Sequence, residues 1–434
     1  MEASELVISQ LLNKLGYEHL TDMQKAVFDD IYKLHDVWLT APTGSGKTLA
    51  FLLPVMLQMQ RNDHRLLVIV PTRELAVQTT QIIRNLAMGF SVSLCYGGND
   101  RRKEISSLAS NSRIVVGTPG RLCDHERNQN LAGPFHTLVL DEYDKSLEIG
   151  FKEEMDILLR TFSNGAQIIL TSATKTKQLS LLEDRGQWAQ FDYTALEKSG
   201  KVMRWLVTSH EKDKLETLGH LLRDLGGKKV IVFVNYREAA ERTGNWLVNQ
   251  KFPAGVFHGG LDQKEREWML SRFRNGSVTI LVSTDLAARG LDISLARYVV
   301  HYQMPHKNDD MIHRDGRTGR MGTDGDIFFL RFEGEDLPDF LNPIPDEYYP
   351  ARDNAEVNLP VWKTWIFNKG KKDKLNKGDI VGFLVQNFNL SADEIGPIDL
   401  GEHQALVAVK EDAHLKMIEG YHKIKKTSVK IFHK

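Results

Sequence analysis

Short apolar runs rich in β-branched residues recur along the first three-quarters of the chain, and each closes on a polar or glycine-containing turn. Residues 37–40, 66–70, 114–116, 138–140 and 168–170 form a first set; residues 230–234, 279–282, 298–301 and 327–330 form a second. Runs that are apolar at successive positions belong to strands covered on both faces, and helix-length amphipathic stretches lie between them. The pattern predicts repeated α/β units with parallel strands. An interruption near residues 187–204 predicts two separate sheets.

The pattern changes at residues 332–361. Five of the chain's thirteen prolines fall there (Pro338, Pro343, Pro345, Pro350, Pro360), and eight acids face Arg352 alone. Such a segment resists helix and sheet, so a semi-extended linker is expected, with Tyr348 and Tyr349 available to dock it. Beyond it, residues 362–434 hold thirteen lysines, no arginine and nine acids, a net +4. Their periodicity reads strand (363–367), helix (377–387), strands (396–400 and 405–409), helix (413–419) and strand (428–432). That order predicts a small split βαβ sandwich. The expected divisions are therefore 1–190, 205–332, 333–361 and 362–434.

Composition narrows the function classes. The 434 residues are 41% hydrophobic and 26% charged, ordinary for a globular protein, and 56 basic residues nearly cancel 57 acids. The two cysteines, Cys95 and Cys123, have no neighbouring Cys/His set at metal spacing, which argues against a disulfide framework or a zinc site. No 18-residue apolar run occurs, and the first ten residues lack a basic leader region. A cytoplasmic, monomeric protein with no membrane partner is the expectation.

Ala41-Pro42-Thr43-Gly44-Ser45-Gly46-Lys47-Thr48 follows the first strand and opens a helix. Small residues there let backbone N–H groups wrap phosphate oxygens at a helix N-terminus. Lys47 then reaches the β/γ-phosphates, and the Thr48 hydroxyl holds Mg²⁺. Asp141-Glu142-Tyr143-Asp144 ends another apolar strand; Asp141 is the second candidate metal ligand and Glu142 the candidate for orienting a water. Alone, the acidic pair would read as a solvated turn. His313-Arg314-Asp315-Gly316-Arg317-Thr318-Gly319-Arg320, in the second set of units, supplies guanidinium groups. Arg317 and Arg320 are the candidates to complete a γ-phosphate site from another lobe, which would make hydrolysis depend on closure.

With these elements placed, residues 10–332 closely resemble a DEAD-box ATP-dependent RNA helicase. The resemblance implies two tandem RecA-like parallel-sheet lobes and an ATP hydrolase acting on RNA, with ATP and Mg²⁺ as cofactors. Tyr17 and Gln24 resemble the family's adenine-reading Q motif. Pro71-Thr72-Arg73, Gly97-Gly98 and Thr118-Pro119-Gly120-Arg121 resemble its first-lobe RNA motifs. Asn235, Arg237, His258, Gly259, Arg266 and Thr284 resemble those of its second lobe. Ser172-Ala173-Thr174, with Asp144 and His313, resembles the elements coupling hydrolysis to closure, and Asp292 is placed at the ribose.

Independently of the family, hydroxyls, backbone N–H groups and a guanidinium at strand ends suit phosphates and 2′-hydroxyls more than base edges, although Thr72 and Thr118 are equally placed to cap helices. Three positions depart from the family pattern. Tyr143 stands where alanine is usual, no aromatic residue precedes Tyr17, and Asp315 occupies a position of the arginine motif that is usually apolar.

The tail resembles the RRM-like RNA-binding domain of DbpA-type helicases. Lys369, Lys371, Lys372 and Lys374 are its candidate RNA contacts, a run that could also be plain solvated surface. The central strand, 403–409, carries no stacking aromatic, and Trp365 and Phe367 are equally consistent with core or platform. The expected activity is unwinding or remodelling of short structured RNA, ribosomal RNA foremost. The alternatives are an ATP-gated RNA clamp with little unwinding and, more weakly, a DNA-translocating helicase.

Overall fold

The computed structural model describes the chain apart from residues 1, 43, 87, 132, 175–181, 183–184, 195–200, 286–295, 320–322, 352–355 and 434. It divides into two compact units, one built on residues 1–199 and the other on 200–288 with 293–434.

The first unit is a seven-stranded sheet of β1 (Val37–Thr40), β2 (Leu66–Ile69), β3 (Val92–Cys95), β4 (Ile114–Gly117), β5 (Thr137–Leu140), β6 (Gln167–Ser172) and β7 (Ala189–Asp192). The strands are all parallel, in the order 3-4-2-5-6-1-7. Alternate residues feed two cores. Leu66, Val68, Ile114, Val116 and Val139 face one layer of helices, while Leu67, Ile69, Val115, Leu138 and Leu140 face the other. That division is why the central strands are apolar at nearly every position. The edge strand β3 alternates half-exposed with buried positions, and β7 alternates half-exposed with exposed ones. Their short, mixed sequences (VSLC, AQFD) are absent from the strand set that hydrophobic runs predict.

The second unit opens with another all-parallel sheet. Its strands are β8 (Val202–Ser209), β9 (Val230–Val234), β10 (Ala254–Phe257), β11 (Ile280–Thr284), β12 (Tyr298–His301), β13 (Gly325–Phe332) and β14 (Asp346–Glu347), in the order 10-11-9-12-13-8-14. The expectation for residues 333–361 needs correction, because part of that segment is a strap on the sheet. β14 adds a two-residue edge beside β8, and Tyr348 N–H donates to Leu206 O at 2.7 Å. The Tyr348 ring packs edge-on against Trp205 and Phe328, so its apolar body holds the strap despite the surrounding prolines. Tyr349 stays exposed.

The tail forms an antiparallel sheet of β15 (Trp362–Phe367), β16 (Ile395–Leu400), β17 (Ala405–Lys410), β18 (Gly420–Ile424) and β19 (Thr427–His433), ordered 16-17-15-19-18. The helix Lys377–Phe388, capped by a reciprocal Asn376/Asp379 box, covers one face. Two expectations are corrected here. The second helix is a single turn, Glu411–His414, and the chain after it makes an extra strand, β18. A hairpin turn carrying Lys425 at φ 53°, rather than Asn or Gly, hid that strand from turn chemistry. Trp365 and Phe367 resolve as core, both fully buried against the helix.

Candidate functional site

Strands β5, β6 and β1 are consecutive in the first sheet, so the segments leaving their carboxyl ends converge, as expected for ligand sites in open α/β sheets. Thr40 pairs with Ser172, which sets the phosphate-type loop beside the β6 terminus. In that loop Gly46 caps the helix Lys47–Arg61 at φ 92°. A Cβ there would also lie 2.6 Å from Gln24 Nε2, so both the backbone and the space call for glycine. Gln24 completes a capping box with Thr21 and donates to Gly46 O at 3.2 Å, tying the preceding helix to the loop. Tyr17 is exposed.

Lys47 is buried, and its ammonium donates to Ala41 O (2.6 Å) and Pro42 O (3.0 Å). Thr48 Oγ1 donates to Asp141 Oδ2 at 3.4 Å. The other oxygen, Oδ1, accepts from Thr171 Oγ1 (2.5 Å) and Glu142 N–H (3.1 Å). Burial pushes the Asp141 carboxyl above the usual aspartate range, and the Thr171 bond and the Lys47 charge oppose that shift. A buried carboxylate oxygen beside a threonine hydroxyl is the hard, all-oxygen donor pair that Mg²⁺ takes. Gly44 and Ser45 complete the loop; Thr43 lies outside the described residues.

Glu142 adopts a left-handed conformation, φ 48° and ψ 48°, at the start of the short helix Tyr143–Glu148. For a non-glycine residue this is sparsely populated, and such strain concentrates at functional positions. Asp144 then reaches across to β6. Its Oδ2 accepts from Ala173 N–H (3.0 Å), Thr174 N–H (3.2 Å) and Thr174 Oγ1 (3.0 Å). Ser172 donates to Thr174 O at 2.8 Å, closing the turn on itself.

The candidate RNA residues of this unit gather on the other half of the same edge, after β2, β3 and β4. Thr72 caps the helix Arg73–Leu86 by accepting from Leu75 N–H. Thr118 precedes Pro119 at a helix start but makes no such side-chain cap, and Gly120 follows in the first turn. Pro71 is buried, and the Arg73 guanidinium lies over Gly97 and Gly98 so closely that a Cβ on Gly98 would meet it at 3.0 Å. Arg121 is anchored by a fully buried Glu104 (3.1 Å), which also holds His125 (2.8 Å) and Tyr96 N–H (3.1 Å).

In the second unit the equivalent half, β10-β11-β9, carries Asn235, Arg237, His258, Gly259 and Thr284. Several of these groups are engaged within the lobe. Asn235 accepts from Arg314 and donates to Met304 O. Both His258 ring nitrogens are bonded, to Glu241 and Gly260 N–H. Arg237 approaches Gly259 and Gly260, Arg266 stacks over Phe257, and Thr284 is buried. Arg314 grips Asp285 through two bonds of 2.6 Å and is buried, so it ties loops together. Arg317 and His313 are both buried, and Arg317 Nε donates to His313 O at 3.3 Å. Arg320 and Asp292 lie outside the described residues.

In the tail, Lys369 pairs with Asp373 at 3.0 Å and Lys372 lies 3.1 Å from His403 Nε2, while Lys371 and Lys374 are exposed. The sheet face opposite the helix is not open at its centre. Thr364 Oγ1 meets Asn275 Nδ2 (2.9 Å) and Ser277 Oγ (2.6 Å) of the preceding lobe, whose helix Gln263–Asn275 packs on β15, β16 and β17. Thr364, Ile366, Leu406 and Ala408 are all buried.

A DEAD/DEAH box helicase model matches residues 21–182, a helicase conserved C-terminal domain model residues 213–322, and a DbpA RNA binding domain model residues 365–432. The ATP-dependent RNA helicase DbpA of Escherichia coli (strain K12) is 32% identical over 420 residues, covering 92% of this chain and 91% of the relative. The chain belongs to the DEAD-box ATP-dependent RNA helicases. The Bacillus subtilis (strain 168) DbpA is 28% identical over 440 residues, with 93% and 91% covered. Among solved structures, S. cerevisiae Dbp5 bound to RNA and ADP BeF3 superposes with TM-score 0.68 over 79% of this chain and 92% of that one, at 22% identity.

As a DEAD-box helicase the protein is an ATP-hydrolysing enzyme, and the structure accounts for two of its departures from the family. Tyr143 points away from the nucleotide loop into the core, edge-on to Trp38. The ring fills a core site among Trp38 and the apolar residues beneath the segment. Asp315 is neutralised where it stands by Arg204 at 2.6 Å and is hydrogen-bonded by buried His301 at 2.9 Å. Thr171 and Glu104 are supporting residues that the motifs alone do not single out. Each holds a motif residue from a position whose sequence context is ordinary.

Proposed function

We propose that this helicase hydrolyses ATP on RNA-induced closure of its two lobes and thereby parts short structured RNA. The observation that carries the reading is the convergence of Lys47, Thr48 and Asp141 beside Glu142, with Asp144 bonded to Thr174 on the neighbouring strand. Mg²⁺, when bound, neutralises charge on the β/γ-phosphates, and Thr48 and Asp141 are the residues that would hold it. Lys47 binds the same phosphates, and Glu142 orients the attacking water. Arg317 and Arg320 supply the opposing charge from the second lobe, Gln24 and Tyr17 select adenine, and Asp292 meets the ribose.

In this reading residues 1–190 form the nucleotide lobe and 205–332 the closing lobe. Residues 333–361 are the strap and 362–434 the RNA anchor. Recognition by the core runs through backbone contacts of Thr72, Arg73, Thr118, Arg121 and their second-lobe counterparts, so it is independent of base sequence. The tail confers preference for structured RNA, with ribosomal RNA the first to test, in a monomeric cytoplasmic enzyme. The test is steady-state ATPase without nucleic acid, with RNA and with DNA. Strong stimulation by RNA alone supports the reading; equal stimulation by DNA, or none by RNA, overturns it.

A further inference from the structure

The tail's central sheet face is covered by the preceding lobe, with Trp362 packed between Gly276 and Gly396, yet a more open aromatic and cationic surface is present at the far end of the same face. In the β18–β19 hairpin Tyr421 lies directly across from Lys430, and Lys423 across from Ser428. His422 and Val429 point the other way, where His422 packs against Phe383 and Phe388 of the helix. Tyr421 is 74% exposed. Lys430 Nζ sits 6.0 Å from its ring centroid and 5.7 Å from that of Phe432, so the ammonium lies between two rings on one surface. Several other tail lysines are paired with acids: Lys363 with Glu411, Lys410 with Asp393, Lys416 with Glu394, and Lys425 with Asp379. Lys423, Lys426 and Lys430 take part in no ion pair among the described residues.

We infer that this hairpin is a second RNA contact of the tail, in which an unpaired base stacks on Tyr421 and the adjoining phosphates meet Lys430 and Lys423. An exposed ring fixed on a sheet offers a π-face to any base, and cations beside it suit the backbone that carries the base. Charge argues for this occupant over an apolar peptide, because Lys430 lies beside both rings and Lys423 shares the strand face of Tyr421, and neither pairs with an acid among the described residues. The inference rests on the RNA-helicase reading and assigns to it a single-stranded subsite separate from the lysine loop at 369–374.

The test measures binding of the full chain to two labelled RNAs, a blunt hairpin and the same hairpin with a ten-nucleotide single-stranded extension. Tyr421→Ala should weaken binding of the extended RNA by at least about fivefold, the low end for one stacked base, and leave the blunt hairpin within about twofold. Tyr421→Trp should restore it, and abasic nucleotides in the extension should erase the difference between the tryptophan and alanine variants. Lys430→Gln should lower the salt dependence for the extended RNA by about 0.7, one single-strand phosphate contact. RNA-saturated ATPase should be unchanged in each variant. Equal affinity of wild type and Tyr421→Ala for the extended RNA overturns the subsite, as does an equal loss on both RNAs. Absence of RNA-stimulated ATPase in the wild type would instead overturn the helicase reading itself.

Discussion

Asp144 holds Thr174 twice through a single oxygen: Oδ2 accepts from the threonine N–H at 3.2 Å and from its hydroxyl at 3.0 Å. The bonds connect the segment after β5, which also carries Asp141 and Glu142, to the turn after β6. In the proposed mechanism, a shift of the Asp141–Asp144 segment would be passed through these bonds to Ser172-Ala173-Thr174.

Thr174→Val removes the hydroxyl bond and keeps the backbone one. Hydrogen bonds to a charged acceptor are worth about 1.5–3 kcal/mol, so the coupling should weaken by at least roughly tenfold. The expected outcome is RNA-stimulated ATPase within a few-fold of wild type, with strand separation per ATP much reduced. Parallel loss of both activities would place Thr174 in the hydrolysis site itself.

Lys47→Ala should abolish turnover, because no other side chain of the loop carries positive charge to the β/γ-phosphates. Glu142→Gln should behave differently. It keeps shape and hydrogen bonding and loses only the charge that orients water, so ATP and RNA binding should persist while turnover falls by orders of magnitude. Filter binding and single-turnover hydrolysis on the same preparations separate the two effects.

The parts of the molecule legible in the sequence are those where one element is buried on both faces or where a loop has fixed spacing. Val230–Val234 is apolar throughout because alternate residues enter different helix layers, and the loop ending in Lys47-Thr48 needs its small residues at set positions. Edges were not legible. Ala189–Asp192 and Ala254–Phe257 alternate weakly, and two-residue β14 is chosen by Tyr348's packing rather than by strand propensity. Supporting polar residues were equally hidden. Thr171 meets Asp141 from 30 residues away, and Glu104 meets Arg121 from 17, so only the folded chain pairs them.

His301 provides a pH test of the Asp315 departure. Burial lowers its pKa below 6.5, and the hydrogen bond to Asp315 only partly opposes this, so the ring is neutral in the native protein near neutral pH. The unfolded chain binds the proton from about pH 6.5 downward. The stability this group contributes is therefore intact above pH 6.5 and lost as pH falls towards its lower native value, at up to about 1.4 kcal/mol per pH unit. His301→Gln, which keeps a donor for Asp315 but does not titrate, should show a shallower fall in Tm between pH 7.5 and 5.5 than wild type. Identical slopes would mean that the native pKa of His301 is unshifted, and a steeper fall in the variant than in wild type would mean that His301 is charged in the native state and forms a true ion pair.

The lysine loop of the tail makes the last prediction more specific than charge counting allows. Lys369 is bonded to Asp373, whose carboxyl is held below the usual range first by Gly370 N–H and then by that lysine. Lys372 is engaged with His403, whereas Lys371 and Lys374 are exposed and pair with no acid among the described residues. Replacing Lys371 and Lys374 by glutamine should therefore account for most of the loop's contribution to RNA binding. Each phosphate contact given up lowers the slope of log affinity against log salt by about 0.7–0.9, so the pair should lower it by roughly 1.4–1.8. Replacing Lys369 and Lys372 should change the slope by less and should loosen the short turn that Asp373 closes. RNA concentration for half-maximal ATPase, measured at several salt concentrations, reads both effects, and kcat at saturating RNA should stay constant. If all four replacements leave the slope unchanged, the loop is solvated surface, and RNA affinity in the tail must reside on the β18–β19 face.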